Sequence, residues 1–449
     1  MCKGSFYHSI TCRIFFALAV FHAVAINAIG QDEDLTIQIK PFKKDGLYSG
    51  KEEAGYHIYI KNLHKVPQKG TLEITVDDKN GNAEYVSMKM DISLQKKASF
   101  SKSLSLGINK FPPGFYKANF IINTDSYEDT ATYIFGIAPD KMVYEIHKPN
   151  DFDEFWANTL TKLASIDPKY DVRIDEGLTD RFHKVYRVQM TSWDNVRIEG
   201  YLTIPNLKGK FPVTVNFAGY LGLVYPIYYK DFAALSMNVR GIGALARQAL
   251  PANTEFNTYN MNDKNKYIYR GVYMDCVRSI DFVVSHGDLG LDTKRIVVYG
   301  GSQGGTEAII AAALSKKVNA AAANNPVFAD YRTIFASGRK EKELVFPMVQ
   351  FEKYFKQTRM ADAQAFKTLD YFDLSNFIDK LECPILIGIG LKDPISPPST
   401  VVNAFNHLKP SLKINSKIYY YPNLTHEVSN LHWLRNYNWI EDKLRDPHH

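Results

Sequence analysis

Cysteine is scarce: the 449 residues hold four, and two of these, Cys2 and Cys12, fall in the first thirty positions. The remaining pair, Cys276 and Cys383, cannot staple a small scaffold, so the chain must rely on a hydrophobic core of its own. The sequence does not say whether they pair, and two free, buried thiols are the expected state. Neither sign of charge dominates, with 54 Lys and Arg against 48 Asp and Glu, a formal +6. The basic residues are spread along the chain and do not cluster, which argues against a nucleic-acid partner. Dinucleotide and Walker glycine spacings are absent, as is any internal repeat. What is present is a composition 45% apolar and 13% aromatic, that of a well-buried globular protein long enough for two domains and a leader.

Residues 1–30 read as a secretory signal peptide. Lys3 and Arg13 form the positive region, and residues 14–28 are apolar but shorter than a membrane span of about 20 residues. Small residues at 25 and 28, or at 28 and 30, suit cleavage before Ile29 or Gln31. Cys2 does not end the apolar run, so no lipid anchor and no stable membrane association are expected after cleavage. The expected location is secreted or periplasmic.

Residues 31–140 form short alternating segments, such as 56–60, 71–76, 116–122 and 130–136, with a hairpin-type turn at 78–81. They predict an N-terminal β-sandwich domain. Its aromatic residues Tyr56, Tyr59, Tyr85, Phe115 and Tyr116 are expected in core packing. Over 141–445 the pattern changes. Residues 151–163 predict an amphipathic helix capped by Asn150 or Asp151. Strands are expected at 185–190, 197–204, 213–217, 236–239, 295–299, 384–390 and 417–421, with helices at 271–286 and 306–314 between them. Short apolar strands alternating with helices indicate an α/β fold, a mostly parallel sheet covered on both faces. The polar stretch 244–266 lacks periodicity and reads as a long loop near the site.

The most informative stretch is 296–305. A β-branched run leads into Gly300-Gly-Ser302-Gln-Gly-Gly305, and a helical pattern follows. A serine at the tip of a sharp strand-to-helix turn is the nucleophile elbow of an α/β-hydrolase, and the glycines admit the close approach of strand and helix. A phosphate-binding glycine loop is the alternative, but no Lys follows. In this fold the acid and base come later, each after a strand. Asp393 follows the buried strand 385–390, and His426 follows the strand 417–421. Ser302, Asp393 and His426 are therefore the candidate catalytic residues. The backbone N–H groups of Tyr220, in the loop after 213–217, and of Gln303 are the candidate oxyanion donors. His183, His286 and His407 lack such context and are expected at the surface or at helix ends. His426-Glu427 begins like a zinc-protease helix, but Asn430 stands where the second His belongs and His432 lies off that face, so no metal site is expected. Arg240 is expected in a structural hydrogen-bonding role.

Residues 150 to about 440 resemble the acetyl xylan esterase and cephalosporin C deacetylase family, carbohydrate esterase family seven. The resemblance rests on residues 151–156 (DFDEFW), 269–273 (YRGVY), 300–305 (GGSQGG), 367–373 (KTLDYFD), 390–393 (GLKD), 397–400 (PPST) and His426-Glu427. It implies a serine esterase that removes acetyl groups from xylo-oligosaccharides or related small acetyl esters without a cofactor. It also implies Ser302, Asp393 and His426 as the triad, with Tyr220 and Gln303 at the oxyanion hole. A homo-oligomer is implied too, although the family's compact members lack a domain like residues 32–137. The chain departs from the family's usual Arg-Gly-Gln at Ile242 and from its His-Gly-Tyr at Ala218. Both changes remove polar groups near the site and bear on acyl preference. The alternative readings are a prolyl-oligopeptidase-like serine peptidase, an esterase acting on a different small acyl ester, and a carbohydrate-binding protein using the sandwich.

Overall fold

Alternation organises the first part of the chain. Along β3 (Ala54–Asn62), Tyr56, Ile58 and Ile60 are buried while His57 and Tyr59 point away. A computed structural model describes residues 35–78, 84–107, 111–245, 250–342 and 344–445. The leader, with Lys3, Arg13 and both cleavage positions, lies outside the described residues, as does most of the expected turn at 78–81. Strands β1 (Leu35–Pro41), β3 and β6 (Ser99–Gly107) form one antiparallel sheet. The other sheet has the order β2-β8-β7-β4-β5, with β2 (Leu47–Tyr48), β4 (Gln68–Asp78), β5 (Glu84–Leu94), β7 (Gly114–Thr124) and β8 (Tyr127–Ile137). In β4 and β7 the opposed pairs Leu72–Ile122, Ile74–Phe120 and Val76–Ala118 share the inner face. Tyr56 of the first sheet meets Phe120 of the second edge-on at 4.9 Å. These inner faces bury their apolar residues against each other, as in a β-sandwich.

The nine-stranded sheet that follows has the order β17-β16-β15-β14-β12-β13-β11-β10-β9. Its strands are β9 (Asp171–Ile174), β10 (His183–Thr191), β11 (Arg197–Pro205), β12 (Phe211–Phe217), β13 (Ala233–Met237), β14 (Leu291–Gly301), β15 (Ala320–Asn324), β16 (Ile385–Gly390) and β17 (Lys417–Tyr421). The six from β13 to β17 run parallel, and β11, β10 and β9 are antiparallel. The helices are α1 (Phe152–Ala164), α2 (Ile268–Ser285), α3 (Gln303–Ser315), α4 (Tyr331–Glu341), α5 (Met348–Thr358), α6 (Asp362–Leu369), α7 (Pro398–Asn406), α8 (Pro410–Lys413) and α9 (Asn430–Leu444). They cover both faces: Trp439, Ile440 and Leu444 of α9 pack with Val297, Ala320, Ala322 and Leu386, while α2 and α3 share a core with Ile296, Val298, Ala321 and Ala323. This is the α/β-hydrolase architecture with an N-terminal β-sandwich. Among the described residues, no helix is long and apolar enough to cross a membrane.

Several expectations need correction, among them Tyr59, which was expected in core packing but lies on the outward side of β3. β13 ends at Met237, earlier than 236–239, because its parallel pairing with β12 stops where Met237 meets Phe217. β9 and β15 were not anticipated. β15 is an alanine run, helix-forming by propensity, held extended by hydrogen bonding to β14 and β16 on its two sides. Asp151 precedes α1, but neither of its carboxylate oxygens caps the helix. It accepts instead from Lys264 Nζ at 2.8 Å and from the Tyr371 hydroxyl, where the cation makes a stronger partner than a backbone N–H.

Arg240, just beyond β13, is buried and pairs with Asp275 of α2 through Nε at 2.9 Å and Nη2 at 2.8 Å, while its own backbone N–H donates to the same carboxylate at 2.9 Å. Nη2 also donates to Trp193 O at 2.9 Å. A side chain at Gly271 would strike this guanidinium, which accounts for the glycine between Arg270 and Val272. Replacing Arg240 by Met leaves Asp275 buried without its cation, so Arg240→Met is expected to lower unfolding free energy by about 3–5 kcal/mol. Equilibrium urea unfolding measures this, and a loss below about 1 kcal/mol would place the pair among weak surface bridges.

Candidate active site

β14 runs straight into α3, and the residue between them is Ser302 at φ 56°, ψ −124°, a conformation that side chains rarely adopt. The flanking glycines make it feasible. A Cβ on Gly300 would strike Gly304, and one on Gly304 would strike the carbonyl oxygens of Phe217 and Ala218 at the end of β12. The Ser302 N–H donates to Asn324 O at 2.8 Å, tying the turn to the end of β15.

Asp393 and His426 arrive from the next two strands. Asp393 lies on the loop after β16 with its side chain 0% exposed. Its Oδ1 accepts from the N–H groups of Ile395 at 2.8 Å and Ser396 at 2.9 Å. Its Oδ2 lies 2.7 Å from His426 Nδ1, and His426 Nε2 lies 2.8 Å from Ser302 Oγ. An ionised carboxylate only accepts, so Nδ1 carries the proton, and the lone pair on Nε2 faces the Ser302 hydroxyl. The loop carrying His426 is packed tightly on β16, for a Cβ at Gly390 would strike the carbonyl oxygens of Leu424 and Thr425. The three candidate residues, far apart in sequence, thus form one hydrogen-bonded chain.

The candidate oxyanion residues flank this chain. Gly219 lies so near the elbow that a Cβ there would sit 3.8 Å from Ser302 Cβ, which brings the following Tyr220 to the same edge. Gln303 opens α3, where the first N–H groups have no partner within the helix. The Tyr220 ring packs on Phe346 at 4.8 Å, and its hydroxyl donates to Glu255 at 3.0 Å. Burial and the Glu255 carboxylate push this phenol up to about 12. Glu255 belongs to the 244–266 stretch, which reaches the site as expected. Ile242 is buried in the core, where the resemblance calls for a glutamine. Among the described residues, no group of three or more His, Cys, Asp or Glu could hold a metal ion.

The model of the acetyl xylan esterase (AXE1) family matches residues 141–443. The chain belongs to that family. It is a family of carboxylic ester hydrolases, and its match begins just after the sandwich. The acetyl esterase Axe7A of Xylanibacter ruminicola is 29% identical over 290 residues, covering 60% of this chain and 63% of that protein. The chain therefore spans less than two thirds of this curated relative. An acetyl xylan esterase from Paenibacillus sp. R4 is 28% identical with a TM-score of 0.60, covering 68% of this chain and 98% of that one. Acetyl xylan esterase 1 from Thermoanaerobacterium sp. JW/SL YS485, at 23% identity and a TM-score of 0.60 over the same shares, has the same fold.

Two buried residues near this site, His432 and Glu307, carried no sequence signal for the places they take. His432 is buried at the start of α9, with Nε2 2.7 Å from Asn324 Oδ1 and Nδ1 2.8 Å from the Tyr421 hydroxyl. Burial holds it down at about 4, so it is a neutral brace between β15 and β17. His286 and His407 end α2 and α7 as expected, whereas His183 is half-buried with Nε2 3.1 Å from Tyr229 O. Cys276 and Cys383 are buried and free. Glu307, one turn beyond Gln303, accepts from Gln303 Nε2 at 2.7 Å. Complete burial, helped by nearby Asp275, pushes its carboxyl up to about 8.

This raised value has a thermodynamic consequence. The folded protein keeps a proton on Glu307 that the unfolded chain, with an ordinary value of 4.5, has released. Its contribution to stability is complete below about 4.5 and is lost as the pH rises through about 8. Glu307→Gln keeps the acceptor for Gln303 and removes the titration. The wild-type melting temperature should therefore fall more steeply than that of Glu307→Gln between about pH 5 and about pH 9. Parallel melting curves for the two proteins would mean that Glu307 does not titrate in this window.

Proposed function

We infer that the protein is an exported serine esterase that removes acetyl groups from acetylated xylo-oligosaccharides or related small acetyl esters through an acyl-enzyme. The observation that carries this reading is the unbroken chain Asp393–His426–Ser302, at 2.7 Å and 2.8 Å, on the segment matched by the family. Ser302 attacks the acetyl carbonyl as His426 Nε2 takes its proton. Asp393 keeps the imidazole in the required tautomer and stabilises the imidazolium. The N–H groups of Gln303 and Tyr220 receive the oxyanion, aided by the positive end of α3. The sugar hydroxyl leaves with the proton from His426. Water, deprotonated by His426, then attacks the acetyl-serine and frees acetate.

The division of the chain belongs to the same proposal: a leader at 1–30, a sandwich domain at 31–140 and a catalytic domain at 141–445. Separate hydrophobic cores in the two folded parts support it. Export rests on the leader's sequence pattern.

Ser302→Ala should lower turnover by about a thousandfold or more. Acetate release from acetylated xylo-oligosaccharides, beside p-nitrophenyl esters of increasing acyl length, measures it. Activity that depends on Ser302 and drops beyond acetyl supports a sugar deacetylase. Turnover that persists in Ser302→Ala would move the nucleophile elsewhere.

A further inference from the structure

Residues 253–262 and helix α5 enclose a groove of about 550 Å³, within the size range of small-ligand sites. Its walls include Asn253, Glu255, Tyr259, Asn260, Gln350 and Tyr354. Among the described residues, the charged groups lining it are Glu255 and Lys353, which have opposite signs, so these walls carry no net charge to select an ion.

Its two tyrosines differ from those deeper in the molecule. Tyr267, Tyr269, Tyr273 and Tyr331 are buried and packed ring against ring. Tyr259 and Tyr354 are half-buried and rest on the core from one side. Among the described residues, neither ring has an aromatic neighbour and neither hydroxyl has a hydrogen-bond partner. Rigid aromatic faces beside the side-chain amides of Asn253 and Asn260 suit a neutral polyol. Its C–H faces pack on the rings, and its hydroxyls pair with the amides.

The groove also connects to both candidate oxyanion residues. Glu255 accepts from the Tyr220 hydroxyl at 3.0 Å. Gln350 Oε1 accepts from Asn257 Nδ2 at 2.5 Å, and Asn257 Oδ1 lies 2.6 Å from the Tyr269 hydroxyl, itself 2.9 Å from Gln303 Oε1. Two groove residues therefore support the side chains of Tyr220 and Gln303.

We propose that this groove binds the unacetylated glycosyl units that flank the acetylated one in an oligosaccharide substrate. The proposal rests on the ester-hydrolase reading above and deepens it. Glu255 and Gln350 act as positioning residues, and binding energy from remote units is realised at the reacting centre through them. It therefore contributes to kcat as well as KM.

Titration of unacetylated xylohexaose into the wild-type protein tests the groove without any reaction. Binding is expected, weakened about tenfold by Tyr259→Ala and by Tyr354→Ala. The two lie on different elements, so a folding defect in one leaves the other informative. Absence of binding, or binding that survives both substitutions, overturns the proposal. In kinetics, kcat/KM should rise about tenfold or more from the acetylated disaccharide to the hexasaccharide. That gain should shrink in each tyrosine variant when normalised to the variant's own rate on p-nitrophenyl acetate. A gain that both variants retain places the flanking units elsewhere and overturns the proposal. If no ester is hydrolysed at all, the ester-hydrolase reading fails and the titration still decides the groove.

Discussion

The backbone of Ser302 is the constraint on which the catalytic region depends. A non-glycine residue at this positive φ costs on the order of 1–3 kcal/mol and persists only where its surroundings impose it. β14 supplies that surrounding from the interior of the sheet, with β12 on one side and β15 on the other. Glycines at 300 and 304 let β12, the turn and α3 close on each other, and the bond from Ser302 N–H to Asn324 O completes the hold. Everything that reaches the serine then comes from the same edge: Gly219 after β12, Asp393 after β16 and His426 after β17. Parallel strands make this convergence unavoidable, because their C-terminal ends all lie on one side of the sheet.

Several buried titratable groups of the catalytic part are shifted toward their neutral forms. Glu307 holds its proton by burial and His432 stays neutral for the same reason. Asp373 is raised to about 7 while accepting from three backbone N–H groups, those of Asp330, Tyr331 and Ser375. A carboxylate at Glu307, bonded to the Gln303 side chain, would oppose negative charge developing beside the Gln303 N–H. Its protonated form does not. The fully buried ion pair, Arg240–Asp275, serves to join the turn after β13 to α2.

The sandwich is more than an appendage in sequence. Its inner faces build a core of their own, but Phe115 and Ile134 turn outward and join the core of the catalytic part, with Phe115 6.3 Å from Tyr420 of β17. Lys117 and Thr132 on this face border a cavity of about 220 Å³ whose far wall includes Lys392 and Asp393. The sheet therefore stands directly against the loop that carries the acid. Phe115 was expected among the sandwich's own core aromatics, and Tyr56 and Tyr116 do pack there. Alternation shows that Phe115 is on the opposite face from Tyr116, but not what covers that face.

The alternation of strands and helices, the elbow and the places of Ser302, Asp393 and His426 could be read from the sequence. Each is a local pattern: an apolar strand, a turn residue, then a polar side chain. The family resemblance was legible for the same reason, since its motifs are short and contiguous. β15 was not legible, because four alanines carry no strand signal until β14 and β16 flank them. His432, Glu307 and the 253–262 groove were hidden too, because their meaning lies in contacts between residues far apart in sequence, such as His432 with Asn324. The sequence by itself determined the strands that lead to Ser302, Asp393 and His426 and which side chains stand at their ends, because hydrophobic period and turn chemistry act over a few residues. Only the tertiary structure decided which polar groups are buried beside one another, and so which keep their protons. Burial and hydrogen-bond partners are set by packing between distant segments.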